Sequence, residues 1–216
     1  MSMPMPPSFL YLASQSPRRQ QLLTQLGVDL QLLLPNVAGD LEEDAEALEI
    51  VRPNEAPARY VQRVTAAKLD AALARLQRRG LPAAPVLCSD TTVALGRVIY
   101  GKPESPAEAV RMLSELSGHT HRVLTAVAVA SPNPASSHGW VMARALSVSQ
   151  VRFTPMTTSQ IEDYVASGEP MGKAGAYAIQ GRAAAWVSHL SGSYTGIMGL
   201  PLFEVAELLR PLGFIV

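Results

Sequence analysis

Residues 125–153 read TAVAVASPNPASSHGWVMARALSVSQVRF, and the architecture turns on them. TAVAVAS (125–131) and WVMARALSVSQVRF (140–153) are both strand candidates, rich in Val and other residues that suit a pleated surface. The joint PNPASSHGW between them carries prolines, serines and a glycine, which break both strands and let the chain return on itself. A long hairpin of this kind is antiparallel, so the sheet is not of the purely parallel, doubly wound type. Elsewhere strands alternate with helices. The expectation is therefore an α/β chain with a mixed twisted sheet, flanking helices and two lobes around a central cleft.

The N-terminal side supplies strand–helix units. Phe9–Ala13 reads as a short buried strand; Ser16 is an N-cap and Pro17 suits the first helical position. Leu22, Leu23 and Leu26 give that helix one apolar face, and Gly27 ends it. VDLQLLLPNV (28–37) reads as a second strand. An acidic connection follows, with six Asp or Glu between positions 40 and 49. It is either a solvated loop, with at most one helical turn, or a source of metal-binding carboxylates. Pro57 to about Arg79 is a long helix with Val61, Val64, Leu69, Ala72, Leu73 and Leu76 inward.

PAAPVLCSD (82–90) gives a short strand ending at Ser89 and Asp90, and TTVALGRVIY (91–100) continues as strand and turn. A further helix buries Ala109, Val110, Leu113 and Leu116. Beyond the hairpin come a helix at 159–166, a glycine-rich loop at 167–181, and a strand and loop within 183–199. A closing helix at 201–209 turns Leu202, Val205, Ala206 and Leu209 inward.

The chain has 216 residues, 48% of them hydrophobic, enough for one substantial domain or two closely joined lobes. Its 18 Lys and Arg balance 18 Asp and Glu. Zero net charge argues against bulk attraction to nucleic acid or an acidic membrane. A phosphate site would have to be a local concentration of charge. The lone cysteine, Cys88, rules out an intrachain disulfide and a cysteine metal cluster. MSMPMPPSF at the start lacks the basic and apolar regions of a signal peptide. No apolar run reaches the ~18 residues of a membrane span. The expectation is a cytoplasmic protein with residues 1–8 as a flexible extension. P-loop, GxGxxG, HExxH and GxSxG patterns are absent, and the four histidines lack metal-ligand spacing.

Three polar clusters fall on connections: Ser14, Ser16, Arg18 and Arg19; Ser89, Asp90 and Thr91 with Lys102; and Lys173, Tyr177 and Gln180. Arginines in a first helical turn are mildly unfavourable unless an anion sits there. They are either solvated or a phosphate fork. Lys68 projects from the apolar stripe of its helix, either snorkelling to the edge or aimed into a cleft. Asp90 either caps a turn or serves a divalent cation or an attacking water.

Taken in order, LASQSPRRQQLL, SDTTVAL, GKPESPAEAVRMLSELSGHTHRVLTAVAV, GKAGAYAIQG and LSGSYTGIMGLPLFEVAELL resemble the Maf-like nucleoside triphosphate pyrophosphatases, from about residue 9 to 210. The resemblance implies one Maf-like domain over 9–216, with a cleft architecture similar to the inosine triphosphate pyrophosphatases. It implies hydrolysis of a nucleoside triphosphate between the α and β phosphates, a divalent cation (Mg²⁺ or Mn²⁺) and a homodimer. It assigns Asp90 as the catalytic aspartate and Ser14, Arg18, Arg19, Lys68, Lys102 and Gln180 to the substrate. AYAIQG is similar to the branch acting on dTTP and UTP. The alternatives are the branch acting on 7-methyl-GTP, and a nucleotide-binding regulatory protein linked to septum formation.

Two departures stand out. Where the family has PDxDE, this chain has PNVAGDLEEDAE, with Asn36 at one acidic position. The acidic role then either passes to Asp40, Glu42 or Glu43 or is weakened, and the metal candidates are Asp90, Glu42 and Glu43. Gly196 stands where the family commonly has an asparagine, and the lost side-chain contact is either absent or replaced by backbone.

Overall fold

The computed structural model describes residues 9–216; the extension expected at 1–8 lies outside them. Seven strands form one mixed sheet: β1 (Leu10–Leu12), β2 (Leu30–Leu32), β3 (Val86–Leu95), β4 (Val98–Tyr100), β5 (Thr120–Pro132), β6 (Trp140–Phe153) and β7 (Val187–Ser191). The order is β2-β1-β3-β5-β6-β7, with β4 also paired to β3. The hairpin that decided the class is β5–β6, antiparallel from Thr120↔Arg152 to Pro132↔Trp140. Strand β1 runs parallel to β2 and β3, whereas β3, β5, β6 and β7 are joined antiparallel.

The helices are α1 (Pro17–Gln25), α2 (Ala45–Leu48), α3 (Pro57–Arg78), α4 (Pro106–Leu116), α5 (Thr158–Ala166), α6 (Tyr194–Met198) and α7 (Leu202–Leu209). Strand alternation sorts them onto two faces. On one face, Val86, Cys88, Ala128 and Ala130 meet Leu69, Ala72 and Leu76 of α3, and Ala94, Leu124 and Ala126 meet its Val61 and Val64. The other face carries two groups. Leu87, Val127 and Val129 meet α1 and α7; Val93, Val123, Val151 and Phe153 meet α4 and α5. On this face of β3 and β5 the polar residues Ser89, Thr91 and Thr125 lie between the two apolar groups.

Three elements differ from the expectation. β2 stops at Leu32 because Pro35 and Asn36 turn the chain. Asn36 takes a left-handed φ of 54°. Its amide clasps the Glu43 backbone, accepting from the N–H at 2.7 Å and donating to the carbonyl at 3.1 Å. β3 does not end at Asp90; it is one strand of ten residues, with Asp90 opposite Ala126. A buried strand has no solvent side to reveal its length by alternation. The glycine-rich stretch contains a 3₁₀ turn at Ala174–Ala176, and another follows at Arg182–Trp186.

One edge of β3 is only partly covered. β1 flanks its first part, as far as Leu87, and β4 flanks Val93–Leu95. Between them, among the described residues, Ser89–Thr92 face no strand on that edge. The sheet is open there, beyond the carboxyl end of β1, where the strand order reverses between β2 and β3, the kind of switch point at which α/β sheets place ligands.

His121 on β5 is 1% exposed, bonded through Nε2 to the Tyr177 hydroxyl at 2.9 Å, and packed edge-on against Phe153 and Tyr177. Burial pushes its pKa down to about 4 from 6.5. The folded state therefore holds the neutral imidazole, while the unfolded chain protonates below 6.5. Stability contributed by this group is complete above pH 6.5 and declines as pH falls toward 4, by about 2 kcal/mol at pH 5. Urea midpoints at pH 7 and pH 5 should show that decline. In His121→Gln, which keeps a partner for Tyr177 but cannot titrate, the difference between the two pH values should shrink; an unchanged difference would exclude His121 as its source.

Candidate functional site

The turn from β1 into α1 builds the first corner. Ser16 caps α1 by accepting from the Arg19 N–H at 3.5 Å, and Pro17 opens the helix. This turns the Arg19 side chain back across the sheet. Its Nη1 donates to Ser14 Oγ (3.2 Å), its Nε to the Gly199 carbonyl (2.8 Å) and its Nη2 to Thr91 Oγ1 (3.3 Å). Gly199 reaches this position with φ 119° at the end of α6, a conformation that L side chains rarely adopt. Its carbonyl also accepts from Ser89 Oγ at 3.1 Å. Thr91 Oγ1 bonds Thr125 Oγ1 at 2.9 Å, and Thr125 donates to the Gly196 carbonyl at 2.7 Å. Gly196 thus takes part through its backbone carbonyl. A Cβ there would sit 3.0 Å from Ser193 Cβ and 3.3 Å from Pro201 Cβ. Burial lowers the Arg19 pKa, and Asp90 is the first of the negative groups opposing that; the guanidinium stays charged. Three of its nitrogens are tied, and a guanidinium has five N–H groups, so donors remain for a ligand.

The second corner is a chain of alternating charge. Lys68 Nζ on α3 lies 2.6 Å from Asp90 Oδ1 and 2.7 Å from Glu49 Oε1. Lys102 Nζ lies 3.1 and 3.0 Å from the two Glu49 oxygens. Asp90 is on the open stretch of β3, on the face that α3 covers, so Lys68 does not snorkel to solvent. Burial works to lower the Lys68 pKa, but the Asp90 and Glu49 charges overcome it and the net shift is upward. Burial likewise opposes ionisation of Glu49, and Lys68 and Lys102 overcome that, leaving its pKa lowered. Lys102 is the most exposed member, with 56% of its side chain accessible.

The Glu49 segment is held from behind. Arg63 donates to the Leu48 carbonyl (3.2 Å) and the Ile50 carbonyl (2.9 Å), on either side of Glu49, and pairs with Glu55 at 2.6 and 2.8 Å. The Tyr60 hydroxyl donates to the Glu49 carbonyl at 3.0 Å. Sequence reasoning passed over Glu49 among the acidic residues. The available signal was its place as the last of that run, immediately before the connection into α3.

The other acidic candidates belong elsewhere. Glu43 pairs with Arg75 through Nε at 2.8 Å and through Nη2, and with Arg78 Nη2 at 3.1 Å. Asp40 pairs with Arg78 (2.8 Å) and Arg79 (2.5 Å). Arg75 also donates to the Leu33 carbonyl at 2.6 Å and Arg79 to the Leu34 carbonyl at 2.9 Å, which fastens β2 to the end of α3. Arg75 first, then Arg78, holds Glu43 below its usual carboxylate range. Glu42 is exposed and lies outside both clusters.

The third corner joins Arg18 to Gln180. The Gln180 side-chain amide lies against Arg18 Nη2, at 2.9 Å, and Nε; because a guanidinium only donates, the amide is assigned with its oxygen toward Arg18. Gln180 sits on a tightly held loop. Gly181 N–H donates to Ala178 O (3.0 Å), Arg182 N–H to Glu169 Oε1 (3.1 Å), and Ala178 N–H to Tyr164 Oη (3.3 Å). Lys173 caps the Glu169 and Met171 carbonyls. Its pKa is lowered, by burial first and by the Arg18 charge second.

Two carboxylates that already grip one cationic group, Asp90 and Glu49 on Lys68, form a hard-oxygen donor set of the kind Mg²⁺ and Mn²⁺ use. Among the described residues no group of three His, Cys, Asp or Glu is placed to hold a metal. These two carboxylates would therefore need oxygens from a bound phosphate and water to complete a shell, as Mg²⁺ sites commonly do.

The family model described as "Maf-like protein" matches residues 9–212. A relative from Albidiferax ferrireducens named dTTP/UTP pyrophosphatase is 65% identical over 206 residues, covering 95% of this chain and 98% of that one. A Polaromonas protein of the same name is 63% identical over 205 residues, covering 95% and 96%. Among solved structures, a nucleoside-triphosphatase/dITP/XTP pyrophosphatase from Mycobacterium abscessus is similar at a TM-score of 0.41 and 12% identity, covering 96% of this chain and 99% of its own, too distant to carry weight. No helix of the described residues is long and apolar enough to cross a membrane.

Proposed function

This chain belongs to the Maf-like family, and from that premise we propose that it hydrolyses dTTP and UTP between the α and β phosphates, releasing a nucleoside monophosphate and pyrophosphate. The observation that carries the chemistry is the Asp90–Lys68–Glu49–Lys102 chain at the open stretch of β3. In a protein of zero net charge, this chain brings two lysines and two carboxylates together beside the open stretch of β3. The names of the relatives support the choice of substrate.

Asp90 accepts the proton of the attacking water. The water oxygen bonds to the α phosphorus, the bridging P–O bond breaks, and pyrophosphate leaves with the electron pair. Arg18, Arg19, Lys68 and Lys102 offset the triphosphate's charge. Ser14 holds the Arg19 fork in place. Gln180 faces the base. Asp90 and Glu49 would hold a divalent cation. Such an ion, when bound, polarises phosphoryl oxygens and stabilises the leaving group. We extend the proposal to a cytoplasmic homodimer, which the family resemblance supports.

The test is steady-state hydrolysis of dTTP, UTP, CTP, GTP and 7-methyl-GTP with Mg²⁺ or Mn²⁺, products identified. Monophosphate and pyrophosphate should appear, with the highest kcat/KM on dTTP and UTP. Orthophosphate as the inorganic product, or an optimum on 7-methyl-GTP, would overturn the proposal.

A further inference from the structure

Arginines gather a second time at the other end of α3. Arg59 lies nine residues before Lys68 on that helix, roughly 13 Å along its axis. There a hollow of about 670 Å³ opens between the first turns of α3, the segment leading into it and the turn that joins β3 to β4. Arg52, Arg59, Arg63 and Arg97 line it, and among the described residues Glu55 is the one carboxylate on its wall. We propose that this hollow is a binding site for a small molecule carrying a di- or triphosphate chain, separate from the site at Asp90.

The carboxylate is already committed. Its two oxygens accept from Arg63 at 2.6 and 2.8 Å, and Oε2 also accepts from the Arg52 N–H at 3.1 Å. Arg63 is committed in turn, since it also holds the Leu48 and Ile50 carbonyls. The guanidinium groups of Arg52, Arg59 and Arg97 are left over. Among the described residues none of the three has an ion-pair partner, whereas Arg75, Arg78, Arg79, Arg111, Arg182 and Arg210 each have one. The one hydrogen bond from these three side chains runs from Arg97 Nη2 to the Asn54 carbonyl, at 3.5 Å. Like charges around one concavity repel, and a countercharge inside it relieves that repulsion.

The three arginines come from separate segments, so the fold sets their spacing. Arg59 belongs to the first turn of α3. Arg97 sits in the two-residue turn between β3 and β4, where the neighbouring Gly96 carbonyl accepts from Arg122 Nη2 at 2.6 Å. Arg52 is tied through its N–H to Glu55. Planar guanidinium forks match phosphate oxygens two bonds at a time. The hollow has the volume of a site for a nucleotide-sized molecule, and several forks suit a chain of phosphates better than a lone one. Val51 and Ile99 border an adjoining recess that shares Arg52, Asn54, Glu55 and Arg97, an apolar margin against which a nucleoside could rest.

Titration calorimetry of the full chain tests the site, with inorganic tripolyphosphate and ADP as probes, at ~150 mM salt, where charges more than ~8 Å apart are largely screened. Tripolyphosphate should bind at two sites. Arg59→Ala/Arg97→Ala should weaken one of them at least ~10-fold, the scale of a lost charged hydrogen bond, and leave the other. Arg19→Ala/Lys102→Ala should do the converse. At the arginine-lined hollow, tighter binding of ADP than of tripolyphosphate would assign it to a nucleotide, and the reverse order to an inorganic chain. Arg59 and Arg97 are both exposed, so circular dichroism of their double variant should match the wild type. Its kcat/KM for UTP, without added polyphosphate, should stay within about twofold. A titration that Arg59→Ala/Arg97→Ala leaves unchanged overturns the proposal, as does binding that disappears between low salt and ~150 mM. Loss of UTP hydrolysis in that variant would make the hollow part of the substrate site and overturn it too. Failure of the wild type to hydrolyse UTP would instead defeat the proposed activity and leave these titrations readable.

Discussion

Asp90→Asn is expected to leave the sheet intact and to lower kcat by about 10²–10⁴-fold, the range for removing a general base. The substitution changes one oxygen to nitrogen at nearly constant volume. The β3–β5 ladder, with Asp90 opposite Ala126, is made by backbone and is untouched. Lys68 keeps its Glu49 partner at 2.7 Å, so no buried ammonium is stranded. The amide cannot take a proton from water at neutral pH. A turn cap would behave otherwise, since asparagine caps as well as aspartate; but a residue in mid-strand caps nothing. Circular dichroism should show native structure with a small change in Tm, while pyrophosphate release nearly vanishes. A variant that retained more than about a third of wild-type kcat, as the 10²–10⁴ range would forbid, would move the proton acceptor to another residue.

What could be read from the sequence was local. The β5–β6 hairpin declares itself through a proline-rich joint between two long strand-forming runs, and α1 through the Ser16–Pro17 start. What could not be read depends on distant pairing. Arg19 donates to a carbonyl 180 positions further along the chain, and Gln180 meets Arg18 only because the loop after α5 folds back over α1. Asp90 looks like a strand end because polar residues follow apolar ones; only the neighbours β1 and β4, which leave Ser89–Thr92 uncovered, show why a polar run can sit inside a strand. The acidic connection is the hardest case. Its carboxylates are chemically alike, and the docking of each against α3 decides its fate: Asp40 and Glu43 meet the arginines at the helix end, and Glu49 meets the lysine 22 positions before Asp90 in the chain.

That division predicts opposite consequences for two identical substitutions. Glu49→Gln should lower kcat/KM by about 10²-fold, the scale for removing one electrostatic element of a phosphoryl-transfer site, with little loss of stability. Lys68 keeps Asp90 at 2.6 Å, and Lys102 is already exposed enough to be solvated. If Asp90 and Glu49 share a cation, the Mg²⁺ or Mn²⁺ concentration for half-maximal activity should also rise. Glu43→Gln should do the reverse. Only 5% of the Arg75 side chain is exposed, and its guanidinium has the Glu43 carboxylate as its charged partner. Weakening that pair should cost ~1–3 kcal/mol of stability, read as a lower urea midpoint, while kcat/KM for UTP stays within about twofold, a change of under ~0.5 kcal/mol in the barrier. Placing both measurements on both variants separates the roles. Should Glu43→Gln abolish hydrolysis while Glu49→Gln leaves it intact, the acidic function would belong to the arginine-bound cluster, and the charge chain through Lys68 would be a structural brace between α3 and β3.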